Sequence, residues 1–401
     1  MKLPPVHRVS QTLSVVRAEG PRALAQRLVR RAYQGIGAVD LEFPLLPEDI
    51  ADSGALRLPN AAGVSGTDPL TIGWLTTPPS AGSGGHTTMF RMVEALEQAG
   101  HTCELLIYDR YGSPAESHEA VIRANWPGVR AAVRDARKGV DGPDVHIATS
   151  WGTAHVLARR VRLPSTRAYF IQDYEPYFYP RGSLYALAED SYRFGFTCLA
   201  LGNMVAECLK REAGVASVLV PFGCDTSVYS LTNCGERSGV VFYTKPDVSR
   251  RGYLLAMLGL AEFHQKHPDQ PIHVYGEHPR GLPFPVVRHD RMTPADLNAL
   301  YNRSIAGLAM SFTNISLVAE EMLAAGAIPI VNDSDLARAD LDHPLVGWAP
   351  PTPSGIAGAL GSAVDGYSTS VSPRAAAGVH NGWAASQQAL VSAVEAAAYG
   401  H

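Results

Sequence analysis

The stretch TIGWLTTPPSAGSGGHTTMF, residues 71–90, decides the fold. Its first seven residues are a short run of apolar and β-branched side chains, as in a buried strand. Pro78, Pro79, Gly82, Gly84 and Gly85 then break the strand, and a helix is predicted from about Thr87 to Ala99. The same unit recurs outward from it. Strands are predicted at 103–109, 144–150, 167–173, 197–202 and 217–223, with helices over 153–161 and 203–213. A polar stretch at 226–239 reads as a linker, and the alternation then restarts. It brings strands at 239–244, 271–276, 305–311 and 327–333, helices over 253–266, 294–301 and 317–325, and a last alanine-rich helix at about 383–398. Strands alternating with helices at this spacing imply mostly parallel, doubly wound sheets. The fold class is α/β: two Rossmann-like domains, with parallel sheets facing across a cleft. The expected boundaries are a helical basic N-terminal extension and Pro/Gly-rich linker over 1–66, a first domain over 67–228, a second over 238–372, and a C-terminal helix over 373–401 that can return to the first domain.

With 401 residues, 46% hydrophobic and 18% charged, the chain can bury the cores of two such domains. A net charge of -4 gives no pull toward nucleic acid, which is not expected as a partner. The five cysteines (Cys103, Cys198, Cys208, Cys224, Cys234) are scattered, with no C-x-x-C pair. That argues against a disulfide framework or a zinc site and for free thiols in a reducing compartment. The N-terminus is locally basic: Lys2, Arg8, Arg17, Arg22, Arg27, Arg30 and Arg31 stand against Glu19 alone. Residues 10–36 read as one amphipathic helix or a broken pair that either lies on an anionic membrane surface or docks on the body with a solvated basic face. There is no apolar leader and no run long enough to span a bilayer, so the expected location is the cytoplasm, with peripheral contact at the inner face of the membrane under the first reading.

Four segments carry candidate chemistry. PPSAGSGGHTTMF (78–90) joins a strand to a helix, so backbone amides and a helix dipole can approach an anion. Its spacing is not the dinucleotide fingerprint, which sets a dehydrogenase aside. FYTKPDVSRRGY (242–253) gathers Lys245, Arg250 and Arg251 against Asp247 in the matching loop of the second domain, a set suited to a diphosphate. SFTNISLVAEEMLAAGAIPIVND (311–333) places Thr313, Asn314 and Ser316 ahead of a helix bearing Glu320 and Glu321. The two glutamates point about 100° apart, so one of them is expected to face the cleft. YFIQDYEPYFYPRGS (169–183) packs Asp173 and Glu175 among Tyr174, Tyr177, Phe178 and Tyr179, the mix of aromatic faces and carboxylates that suits sugars. The bland alternatives are a tight turn, a solvated basic loop, helix-stabilising acids and an aromatic core cluster.

In this order and spacing the segments resemble a GT-B glycosyltransferase of retaining family four. VPFGCDTSVY (220–229), VVFYTKPDVSRRGY (240–253), EMLAAGAIPIV (321–331) and GHTCELLIYD (100–109) match that family's landmarks, and the resemblance runs from about residue 71 to 335. The Tyr-x-Lys-Pro and Arg-Arg-Gly pairing, and Thr-Asn-x-Ser before the Glu-Met helix, look most like rhamnosyltransferases of bacterial surface-polysaccharide assembly. The family carries two glutamates eight positions apart: Glu321 matches the second, which holds the donor ribose, and Thr313 stands where the first would be. The family's His–Asp pair reads Gln172–Asp173 here.

The resemblance implies transfer of a sugar, a deoxyhexose such as rhamnose foremost, from a nucleoside-diphosphate sugar to a glycan or lipid-linked acceptor with retention. The donor is dTDP-, UDP- or GDP-linked, with dTDP-rhamnose preferred, and no metal or other cofactor is expected. The donor site is assigned to Gly84, Gly85, Lys245, Arg250, Arg251, Gly276, Asn314, Ser316 and Glu321, with the 289–292 segment beside the nucleobase. Asp173, Lys245 and Arg251 form the catalytic set. His86, Asp173, Tyr174, Glu175 and Tyr177 face the acceptor. Two alternatives stand beside this: a nucleotide-sugar 2-epimerase, and a non-catalytic sugar-nucleotide binder or scaffold.

Overall fold

Residues 71–76 form the central strand of a seven-stranded parallel sheet. The computed structural model describes residues 43–59, 66, 68–277, 281–290, 292–314, 317–379 and 382–400. The basic segment 10–36 and Ser316 lie outside the described residues. The chain divides into compact units at 1–50 and 51–401. In the first, the described residues include a short 3-10 turn, Pro47–Asp49. The second carries both sheets.

The first sheet contains β1 (Thr71–Thr76), β2 (Thr102–Ile107), β3 (Ala132–Asp135), β4 (Val145–Ala148), β5 (Thr166–Ile171), β6 (Thr197–Leu201) and β7 (Val218–Val220), in the order β3-β2-β1-β4-β5-β6-β7. The second contains β8 (Val240–Thr244), β9 (Ile272–Gly276), β10 (Val287–Arg288), β11 (Ala306–Leu308), β12 (Ile328–Asn332) and β13 (Gly347–Ala349), in the order β10-β9-β8-β11-β12-β13. Both are parallel throughout. Strands β4 and β5 are buried along their whole length because helices cover both faces, which is why they read as mainly apolar runs, with His146, Thr166 and Arg167 as buried polar members. The sequence reading omits β3, β10 and β13, which are edge strands, together with helices Ala115–Asn125, Ser183–Ser191, Pro353–Asp365 and Val371–Ala376.

Two local corrections bear on the site. The helix expected from Thr87 begins at Gly84, because the Ser83 side chain accepts from the His86 N–H and caps it. Gly84, Gly85 and His86 are thus the first helical turn. Residues 51–53, inside the linker expected over 37–66, are docked. Ala51 N–H donates to His155 Nδ1 at 3.0 Å, and Ser53 Oγ donates to Asp190 Oδ1 at 2.6 Å. The C-terminal helix Ala384–Tyr399 belongs to the first lobe's core, where Trp383, Leu390, Val394 and Ala398 pack with Phe90, Val93 and Leu96.

Candidate active site

The strand order reverses between β1 and β4 in the first sheet and between β8 and β11 in the second. Ligands of doubly wound sheets bind beyond the carboxyl ends of strands at such points. The glycine-rich segment follows β1, the basic loop follows β8, and the 311–314 segment follows β11. The acidic, aromatic segment follows β5, one strand further along.

These loops meet at Asp173. Thr313 is 1% exposed, and its hydroxyl donates to Asp173 Oδ1 at 2.8 Å. The neighbouring Asn314 Nδ2 donates to the Gln172 carbonyl at 3.3 Å. The 311–314 segment is itself braced. Ser311 N–H donates to Asn332 Oδ1 at 2.8 Å, Ser311 Oγ bonds Asn314 Oδ1 at 3.0 Å, and Arg251 Nη1 donates to Ser311 Oγ at 3.1 Å. Arg250 lies 4.4 Å over the Phe178 ring, joining the basic loop to the aromatic segment. Both arginines sit in a 3-10 turn, Ser249–Arg251, closed by Gly252 at φ 64°. A Cβ on Gly252 would come within 2.9 Å of Phe312, so both conformation and contact call for glycine. Burial pushes the Asp173 carboxyl above its ordinary value, and Arg250, Arg251 and Thr313 pull against that.

Gln172 Nε2 donates to the Gly85 carbonyl at 3.0 Å, tying the start of helix Gly84–Gln98 to the Asp173 loop. A Cβ on Gly84 would meet nothing within 4 Å, so the helix start is open to a ligand. His86 Nδ1 bonds Ser83 Oγ at 2.9 Å, and burial lowers its pKa. Lys245 is half-buried at the end of β8.

A second polar cluster surrounds Glu321, on helix Leu317–Ala324. Burial pushes its carboxyl up to about 7; Asp225 adds to that and Arg91 opposes it. Arg91 and Asp225 pair at 2.7 Å. Glu320 is also pushed to about 7 by burial, with Asp340 adding. The two glutamates, both half-buried, therefore lie in different environments, Glu321 beside Asp225 and Arg91 and Glu320 beside Asp340. Asp340 accepts from the Met204 N–H at 2.8 Å, and the Ala339 carbonyl accepts from Asn203 Nδ2 at 3.1 Å, a further bridge between the lobes. The sequence reading misses Arg91, Asp225 and Asp340. Asp225 stands inside a quoted landmark, and Arg91 falls two turns into the helix after the glycines.

Not every expected site residue faces the cleft. Tyr174 is fully buried, bonds Glu189 through its hydroxyl at 3.3 Å, and packs edge-on to Tyr177 with ring centroids 4.8 Å apart. Glu175 accepts from the Trp151 N–H and from the Tyr169 hydroxyl, and burial pushes it up to about 8. Both are therefore corrected from acceptor contacts to interior supports of the Asp173 loop: an apolar surround and internal hydrogen-bond partners turn them inward. Tyr177 is half-buried against Tyr174. Gly276 ends β9 at φ 99°, where a Cβ would come 2.6 Å from the Thr244 carbonyl, so it shapes the strand end. His289, Asp290 and Met292 line an open hollow of about 670 Å³ with Arg288, Asn302 and Arg303. Among the described residues no three His, Cys, Asp or Glu side chains form a metal-ligand group. No helix of the described residues is long and apolar enough to cross a membrane.

Residues 129–204 match the WsaF N-terminal domain, and residues 238–361 match the WsaF C-terminal domain. Over 302 residues the chain is 30% identical to the O-antigen biosynthesis protein RfbC of Myxococcus xanthus, an alignment covering 70% of this chain and 23% of RfbC. The chain thus spans less than a quarter of that relative's length. A glycosyltransferase from Rickettsia africae superposes with a TM-score of 0.55 at 12% identity, over 81% of this chain and 94% of that one. A protein described as a UDP-N-acetylglucosamine 2-epimerase from Listeria monocytogenes superposes at 0.53 with 10% identity, over 82% and 96%. The chain has the two-lobed GT-B glycosyltransferase fold and matches, one after the other, the two domains of WsaF.

Proposed function

We propose that this chain is a glycosyltransferase of cell-surface polysaccharide assembly. It moves a sugar, rhamnose from dTDP-rhamnose foremost, to a hydroxyl of a glycan or lipid-linked acceptor with retention, as in family four. The observation that carries this reading is the convergence of Arg250 and Arg251 with Asp173 and the 311–314 segment at the ends of β5, β8 and β11. The RfbC likeness supports the polysaccharide context.

In the reaction, the acceptor oxygen bonds to the anomeric carbon and the bond from that carbon to the diphosphate oxygen breaks. Lys245, Arg250 and Arg251, with the amides at Gly84–Gly85 and Asn314–Ser316, stabilise the charge on the departing diphosphate, in the role a metal has elsewhere. Glu321 accepts from the donor ribose. Asp173 accepts the hydrogen bond of the acceptor hydroxyl, whose proton leaves on a diphosphate oxygen. His86 and Tyr177 flank the acceptor, Gly276 and the 289–292 segment flank the base, and closing the lobes keeps water from the donor. Residues 10–36 would hold the protein at an anionic membrane face where the acceptor resides.

A thermal-shift screen of dTDP, UDP, GDP and their sugars tests this, since a ligand of the native state raises the midpoint by mass action. One nucleotide class should raise it; a flat response to all three would overturn the reading. The same fold also serves an epimerase, which would isomerise a donor supplied alone.

A further inference from the structure

Thr313 is buried, and a carboxylate reaches it from the other lobe: that of Asp173, 2.8 Å from the Thr313 hydroxyl. The segment that presents Thr313 is clamped by Ser311, Asn332 and Arg251, and it grips the opposite loop twice, through Thr313 on Asp173 and Asn314 on Gln172. From behind, the Tyr192 hydroxyl accepts from the Glu175 N–H at 2.9 Å and donates to the Asp173 carbonyl at 3.4 Å. Thr313 occupies Asp173 Oδ1, and among the described residues no hydrogen bond is made to Oδ2.

Building on the transferase reading, we propose that Thr313 is a positioning residue that reaches across from the second lobe and holds Asp173 as the single acceptor-side carboxylate, with Oδ2 directed to the acceptor hydroxyl. The charged and titratable groups facing Asp173 are Arg250 and Arg251 from the basic loop and Glu175 and Tyr192 from its own lobe. The hydroxyl favours the ionised carboxylate, so its loss raises the pH at which Asp173 ionises. The Thr313 contact thus both aims the carboxylate and sets its charge.

The test uses the full chain with Thr313→Val, Thr313→Ser, Asp173→Asn and the double variant Thr313→Val/Asp173→Asn. Two readouts are taken: nucleoside-diphosphate release from dTDP-, UDP- and GDP-sugars in the presence of lipid-linked glycan acceptors across pH 5 to 9, and the thermal midpoint at pH 5 and pH 8. Thr313→Val should lower turnover about tenfold or more and move the acid limb of the profile upward, while Thr313→Ser keeps the parent limb. An acid raised by burial contributes stability at low pH that is lost as pH rises through its folded pKa. The midpoint should therefore fall further between pH 5 and 8 in Thr313→Val than in the parent, and in the Asp173→Asn background Thr313→Val should add nothing to that fall. A Thr313→Val variant with the parent's acid limb and midpoint difference would overturn the proposal. If the parent releases no diphosphate from any donor, the transferase reading fails, and the midpoint comparison still decides whether Thr313 sets the charge on Asp173.

Discussion

The Arg251 guanidinium donates to Ser311 Oγ at 3.1 Å, joining the loop after β8 to the loop after β11 across the strand-order reversal of the second sheet. This bond fixes a cation at the point where two helix-leading loops converge. Arg251→Ala should lower turnover by about 10²–10³-fold, the loss seen when one fixed donor to a developing anion is removed. Lys245→Ala should act in the same direction. Steady-state rates checked beside circular dichroism separate this from unfolding, and near-normal rates in both variants would remove the diphosphate assignment.

If Glu321 holds the donor as proposed, it gives that site a pH signature. Its carboxyl is raised to about 7 by burial first and Asp225 second. As a ribose acceptor it is needed ionised, so donor affinity should rise between pH 6 and pH 8. Calorimetric titration of the nucleoside diphosphate at several pH values should show that rise in the parent and a flat, weaker response in Glu321→Gln. The stability sign is opposite: the contribution from this carboxyl is present below about 4.5 and lost as pH passes 7.

Arg91 and Asp225 act on Glu321 in opposite senses. Asp225→Asn should move the pH midpoint of donor binding down, and Arg91→Ala should move it up. Since each partner is 28–30% exposed, breaking their pair should cost only about 1 kcal/mol in chemical denaturation. Midpoints that move in the same direction would separate this pair from Glu321.

Glu175 should behave as an interior group. Raised to about 8, it is neutral at pH 7, and glutamine reproduces that state. Glu175→Gln should therefore leave stability at pH 7 within about 1 kcal/mol, and above pH 8 it should be more stable than the parent, whose carboxyl loses its contribution as pH rises through that value. Glu175→Ala should cost about 2–4 kcal/mol, by stranding the Trp151 N–H and Tyr169 hydroxyl beside a cavity. Urea unfolding at pH 7 and pH 9 reads both.

The two lobes are legible in the sequence because parallel strands covered on both faces read as mainly apolar runs, as in β1 and β5. Edge strand β3 is missed because none of its four residues is buried and two of them, Arg134 and Asp135, are charged, and β10 because it is two residues long. The basic loop and the glycine-rich helix start are visible as local composition. What composition does not carry is direction. Segment 173–179 contains a 3-10 turn, Glu175–Phe178, with no side-chain period to separate the inward Tyr174 and Glu175 from Asp173. The Thr313–Asp173 bond joins residues 140 apart, and a lone threonine gives no sign of its partner.

Sugar transfer itself is tested most directly by incubating the chain with dTDP-, UDP- and GDP-sugars and lipid-linked glycan acceptors, and following donor loss and glycoside formation by NMR and mass spectrometry. The expected result is that one donor is consumed as a glycoside of retained configuration forms in equal amount, and that Arg251→Ala loses this activity. A donor that stays intact with every acceptor, or that isomerises with no glycoside formed, would contradict the account.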